Sequence, residues 1–472
     1  MKKLLTLLLS LVIVSMASAQ NDLESRIKRI ENGLMRPLQI KGEKPETFNI
    51  NDRLKAQGIP GLSIAFVSNG KVEWARAYGM ADIDENKANT TETLFLAGSI
   101  SKPIAALRAH QLVEEGKLSL DENINNYLTS WQLPDNEFTT KEKVTLRRIL
   151  NHTAGLTVWG FPGYDKGDKI PTVQEVLDGK GNTDSVRVYK EPGESWMYSG
   201  GGYTIMQLMV EEASGTSFPA TMRTNILDRM NMQQSTFENP LPQQYHAMAA
   251  TGYRGNGQEV EGKWPIYTEM AAAGLWTTPS QLIQYGIEIQ KINNTKKDGV
   301  LKYASVKEML TPGMNNHGLG PQISENSFGH GGADEGFRAN MVVWKDKPHA
   351  VVVMVNSDNG SIMQEILIAV ANEYNLPDVE VDVRNVVKMS SEALSKYAGK
   401  FQVGDMGVVQ VAVSGGDHIT FEAPFIGRTI HLAAESETAF FDRADGTPIT
   451  FDIETGKVTG FKVQGLQATR VK

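Results

Sequence analysis

Two groups of β-rich runs stand at opposite ends of a long helical stretch, and any fold for this chain has to bring them together. The early pair, residues 61–67 and 72–78, joins across Asn69-Gly70, a dipeptide that tolerates the positive φ of a tight hairpin turn. The late pair, Phe337 to Trp344 and residues 350–356, is followed by a helical pattern over residues 362–374. Between them, residues 120–310 alternate helical periodicity with Gly- and Pro-punctuated loops. Early strands, a helical insert and late strands predict one α/β (α+β) unit, an antiparallel sheet packed with helices beside a helical lobe.

The ends of the chain read differently. Lys2 and Lys3 lead into an apolar run, residues 4–14, that closes on Ala17-Ser18-Ala19, which predicts a signal peptide over residues 1–19, cleaved after Ala19, and a periplasmic or secreted protein. The run is far shorter than the roughly 20 residues of a membrane-crossing helix. Residues 23–34 carry apolar positions at helical spacing. At the other end, residues 376–392 are charged, hold Pro377 and read as a linker, and residues 393–472 break into short β-rich runs separated by turn residues. The expected organisation is therefore a signal peptide, a catalytic domain over residues 20–375, a linker and a small antiparallel β-domain.

Composition removes several functions. With no cysteine, disulfides, thiolate nucleophiles and thiolate metal sites are absent. A net charge of -8 without a long basic block gives nucleic acid no electrostatic footprint. No histidine among the eight has a partner four positions away, so the helical zinc motif is missing, and no serine has glycines two residues away on both sides. Neither a metal nor a cofactor is implied.

A serine nucleophile can instead be activated by an amine. Ser99-Ile100-Ser101-Lys102 puts a hydroxyl and an amine three residues apart at a predicted helix start, on one face, and a desolvated lysine can serve as the base. Ser25 to Lys28 and Ser68 to Lys71 share the spacing, the first on an amphipathic helix and the second across a hairpin turn. Context separates them. Pro103 suits the first turn of the helix after Ser99, and the tetrad is followed, in order, by Leu150-Asn151-His152-Thr153-Ala154-Gly155, by Pro192-Gly193-Glu194 with Tyr198-Ser199, and by His330-Gly331-Gly332.

Over residues 45–370 this series resembles the β-lactamase-like serine hydrolases, which include class C β-lactamases, DD-peptidases, D-aminopeptidases and esterases. The resemblance implies that Ser99 is the nucleophile, that Lys102 and Tyr198 move its proton, and that His330 stands on a strand lining the site where many relatives carry a lysine. It implies an oxyanion hole from the backbone N–H groups of Ser99 and Ala333, and substrate contacts at Gly331 and Gly332. Gly200 stands where the family has an asparagine that contacts substrate amides; Trp276, beside a turn, is a further candidate for the pocket wall. His152 belongs to a segment that ends a helix in the family and stays off the catalytic set.

The expected reaction is acyl transfer to water on a small-molecule or peptide substrate, peptidoglycan-derived compounds included. The missing asparagine and lysine favour an esterase or D-amino-acid peptidase over a β-lactamase or DD-carboxypeptidase. The rival of another class is a catalytically silent protein that binds or senses peptidoglycan fragments.

Overall fold

The computed structural model describes residues 20–404, 406–416, 418–425 and 429–471; the expected signal peptide, residues 1–19, lies outside them. The chain divides into two compact units: Ile50–Met363, and the segment up to Asn49 joined with Gln364–Lys472.

In the first unit the two ends of the sequence meet as expected. Strands β1 (Gly61–Ser68), β2 (Lys71–Asp82), β3 (Lys87–Ala88), β4 (Gln322–Ile323), β5 (Ser327–Asp334), β6 (Phe337–Trp344) and β7 (Ala350–Val355) form one seven-stranded sheet in the order β3-β2-β1-β7-β6-β5-β4. Every pairing in it is antiparallel. The hairpin turns at Asn69 and Gly70, both at positive φ. The join between early and late strands is β1 against β7, running from Leu62 opposite Val355 to Val67 opposite Ala350. These two central strands are apolar and buried almost throughout, as strands covered on both faces must be.

Helices from the middle of the chain supply the cover and the lobe. Helix α1 (Ser101–Glu114) has no solvent stripe: Ser101 through Leu112 are all buried. Its polar members are satisfied inside the lobe, Arg108 donating to Thr221 Oγ1 (2.9 Å) and Gln111 to the Val300 carbonyl (3.0 Å). Helix α2 (Gly200–Ser214) is capped by the Ser199 side chain, which accepts from Gly202 N–H, and stops at Gly215 with φ +68°. A short helix α3 (Met270–Ala273) precedes α4 (Pro279–Thr295), which lies against the sheet so closely at Gly286 that an added Cβ would come within 2.7 Å of Val343. Among the described residues no helix is long and apolar enough to cross a membrane.

The second unit closes β8 (Gly399–Val403), β9 (Gly407–Ser414), β10 (His418–Glu422), β11 (Ile430–Ala434), β12 (Ala439–Asp442), β13 (Pro448–Glu454), β14 (Lys457–Val463) and β15 (Leu466–Arg470) into an antiparallel barrel. Its interior is filled by aromatic rings, with Phe451 in contact with Tyr397, Phe421, Phe440 and Phe461 at centroid distances of 4.9–6.1 Å. By their contacts, residues 20–49 and 364–375 group with this barrel. Leu38 packs with Ala433 and Phe441, Arg29 forks onto the Glu373 carboxylate, and the expected linker carries a strand, Asp382–Arg384, that pairs in parallel with Leu38–Ile40. A strand whose partner lies more than 300 residues away leaves no local periodicity to read.

Candidate functional site

The chain enters the site from a two-residue ladder, Phe95–Leu96 against Trp276–Thr277, continued by Ala97 N–H onto the Leu275 carbonyl (2.8 Å). It then turns through a 3-10 segment, Gly98–Ile100, into α1. Gly98 sits at φ +53°, where an added Cβ would lie 2.4 Å from Ala333 N; Gly332 on β5 likewise has no room, since a Cβ there would lie 2.0 Å from the Ala97 carbonyl oxygen. Two glycines thus let the Ser99 turn and the end of β5 touch backbone to backbone.

Ser99 is half-buried and its neighbours are buried. Lys102, only 2 % exposed, donates to Ser99 Oγ (3.0 Å) and to the carbonyl of Ala272 in α3 (2.9 Å). Among the described residues it makes no ion pair with a carboxylate. The Tyr198 ring lies over its ammonium at 4.9 Å, with Tyr203 behind at 5.7 Å. The structure therefore brings Ser99, Lys102 and Tyr198 together around one amine.

Three histidines wall this group. His152, at φ +60°, holds Tyr198 from both sides: its carbonyl accepts from Met197 N–H (2.7 Å), its Nδ1 accepts from Ser199 N–H (3.1 Å), and its ring lies 4.2 Å from the tyrosine ring. A ring nitrogen that accepts a backbone N–H belongs to the neutral imidazole. His330 on β5 lies 6.2 Å from Tyr198, its Nδ1 2.5 Å from the Gly331 carbonyl oxygen, so the proton is on Nδ1. His317 stands between them, 4.7 Å from His152 and 5.9 Å from His330. Burial, with repulsion from Lys102 added, pushes His330 down to about 3 and His317 to about 4; His152 falls well below the usual range from burial and from its neighbours. All three are neutral at neutral pH. At the end of β5, burial raises Asp334 to about 7. Among the described residues no group of three or more His, Cys, Asp or Glu is arranged to hold a metal ion.

The remaining expected contacts separate. Gly331 is exposed and a Cβ there would meet open space, whereas Gly332 is a packing requirement. Gly200 is buried under residues 159–161: its N–H donates to the Trp159 carbonyl (3.0 Å), and a side chain at 200 would meet that oxygen and Phe161. Trp276 does not reach the site. It is fully buried, its indole edge-on to Trp264 and Phe337, because the short ladder that leads to Ser99 needs a core residue at this position. Sequence reasoning missed His317 and the Ala272 carbonyl and passed over His152; a backbone carbonyl has no residue-type signature, and His317 has no flanking motif.

The family model described as Beta-lactamase matches residues 48–373. The chain belongs to the β-lactamase family. As a member of it, the chain is 23% identical over 424 residues to penicillin-binding protein 4* of Bacillus subtilis (strain 168), covering 83% of this chain and 90% of that protein. It is 27% identical over 265 residues to a teichoic acid D-alanine hydrolase of Staphylococcus aureus, spanning 54% of this chain and 62% of the relative. Among solved structures, the octameric penicillin-binding protein homologue from Pyrococcus abyssi shares the fold with a TM-score of 0.61 at 22% identity, over 89% of this chain and 98% of that one.

Proposed function

We propose that this β-lactamase family member is an exported serine hydrolase that acts through an acyl-enzyme on Ser99, of the esterase or D-amino-acid peptidase type. The observation that carries this reading is a buried amine, Lys102, 3.0 Å from a reachable hydroxyl, with Tyr198 packed on it. As Ser99 Oγ bonds to the carbonyl carbon, its proton passes into the Lys102–Tyr198 pair and the carbonyl π electrons move onto oxygen, toward the N–H groups of Ser99 and Ala333. Collapse breaks the bond to the leaving alcohol or amine, which takes up the proton. Water then repeats the sequence and frees Ser99.

Neutral histidines decide the substrate class within this reading. A lysine on β5 would present a fixed charge to a carboxylate; His330, neutral and buried, does not, so neutral esters and amides suit the site better than penicillins or D-Ala-D-Ala peptides. The name of the Staphylococcus aureus relative supports removal of a D-amino acid. A hydrolysis screen over p-nitrophenyl esters, D-aminoacyl anilides and nitrocefin, run on wild type and Ser99→Ala, tests the proposal: turnover of an ester or anilide that disappears in Ser99→Ala is expected, and equal turnover by the two proteins would overturn it.

A further inference from the structure

Trp159 is 73 % exposed, the most exposed of the large apolar side chains among the described residues. Single exposed apolar residues are ordinary on protein surfaces, but this one is held in place at a cost. The preceding Val158 adopts φ +62°, a left-handed conformation that a β-branched residue rarely takes and that persists only where surrounding contacts enforce it. Three hydrogen-bond donors enforce it here. Ser199 Oγ donates to the Thr157 carbonyl (2.8 Å) and sits 3.2 Å from that of Val158, and Gly201 and Gly200 N–H donate to the carbonyls of Val158 and Trp159, both at 3.0 Å.

This backbone is thus pinned to the N-terminus of α2, the helix that Tyr198 leads into. The fit is tight at Gly200, where an added Cβ would lie 3.1 Å from both the Trp159 carbonyl oxygen and the Phe161 ring. Gly200, where the family has an asparagine, and the backbone that carries Trp159 are thus in direct contact beside Tyr198. The Trp159 ring stands 5.6 Å from the Tyr198 ring, which covers Lys102, the partner of Ser99.

We propose that Trp159 is a substrate-binding residue that seats an apolar arm of the substrate against its exposed face, so that the site takes neutral esters or amides bearing an alkyl or aromatic group on the acyl or leaving side. The proposal rests on the reading of Ser99 as the nucleophile. A rigid, flat indole takes up methylene groups from water with little loss of its own freedom.

The test compares kcat/KM for ethyl hexanoate and hexyl acetate with that for ethyl acetate, by titrating the released acid, in wild type, Trp159→Ala, Trp159→Phe and Ser99→Ala. In wild type at least one six-carbon substrate is preferred, and Trp159→Ala lowers that preference at least tenfold, about 1.4 kcal/mol, while Trp159→Phe retains most of it. An unchanged preference in Trp159→Ala, no preference in wild type, or an equal loss on all three esters in folded Trp159→Ala and Trp159→Phe overturns the proposal. Undiminished turnover by Ser99→Ala would instead remove the nucleophile assignment, which separates the two failures.

Discussion

Gly332→Ala adds one carbon where the site has least room for it. The position is not at positive φ, so the effect is one of contact: the new Cβ would lie 2.0 Å from the Ala97 carbonyl oxygen, against the 3.0 Å below which such contacts essentially never occur. Strand β5 and the Ser99 turn must therefore part by about 1 Å. They carry the two N–H groups proposed to hold the oxyanion, whose useful donor distances span only about 2.7–3.1 Å. A displacement of that size is worth roughly a hundredfold in rate, and a lost oxyanion donor about 10²–10³ in kcat. The strain of overpacking adds about 1–3 kcal/mol of destabilisation. The assay pairs kcat on a small ester with a thermal or urea melt. Gly331→Ala, whose Cβ meets open space one residue away, is the control for stability and stays within about 0.5 kcal/mol of wild type. A folded Gly332→Ala enzyme with kcat within about threefold of wild type would refute the reasoning, because close approach of β5 would then contribute nothing to catalysis.

His330→Lys raises kcat/KM for nitrocefin relative to a neutral ester by about ten- to a hundredfold, the value of one charge-assisted contact at ~1.5–3 kcal/mol; no relative gain contradicts the neutral-wall account. The folded pKa of His330, about 3, lies below the unfolded value near 6.5, so its contribution to stability is full above about pH 6.5 and is lost as pH falls toward 3. Urea midpoints from pH 7 to 4 should accordingly fall less steeply for His330→Gln than for wild type. Asp334 has the opposite sign: with its folded pKa raised to about 7, stability is lost as pH rises from about 4 through 7, and Asp334→Asn flattens that limb. In the barrel, Phe451→Ala removes a ring that touches four others and costs about 3–5 kcal/mol, read as a lower denaturation midpoint.

What was legible in the sequence follows from how local each signal is. The hairpin at Asn69-Gly70 and the strand Phe337–Trp344 came from residues adjacent in the chain, and both are found where expected. The helix after Ser99 was also read, although the serine itself lies on a 3-10 turn and the α-helix begins at Ser101. An antiparallel β-domain at the C-terminus was expected; its closure into a barrel was not, because Leu466–Arg470, which pairs with Gly399–Val403 to seal it, buries only Ala468. Of the site, Ser99 and Lys102 were singled out from two other serine–lysine pairs of the same spacing by the series of motifs that follows them in the chain. His317, Ala272 and Trp159 were not, because only the tertiary fold gathers them around Tyr198 and Lys102. Gly200 was noticed as a departure, but its consequence, a backbone loop lying on it, depends on space and carries no sequence pattern.

The central claim, that Ser99 is a nucleophile activated by Lys102, is tested most directly by covalent labelling. Wild type is treated with a fluorophosphonate, and the adduct is located by intact mass and peptide mapping, with Ser99→Ala and Lys102→Ala in parallel. The account predicts one adduct on the peptide bearing Ser99, none in Ser99→Ala, and labelling slowed by about 10² or more in Lys102→Ala, in keeping with a lost proton-transfer partner. An adduct on another serine, or labelling of Ser99→Ala at the wild-type rate, would contradict it.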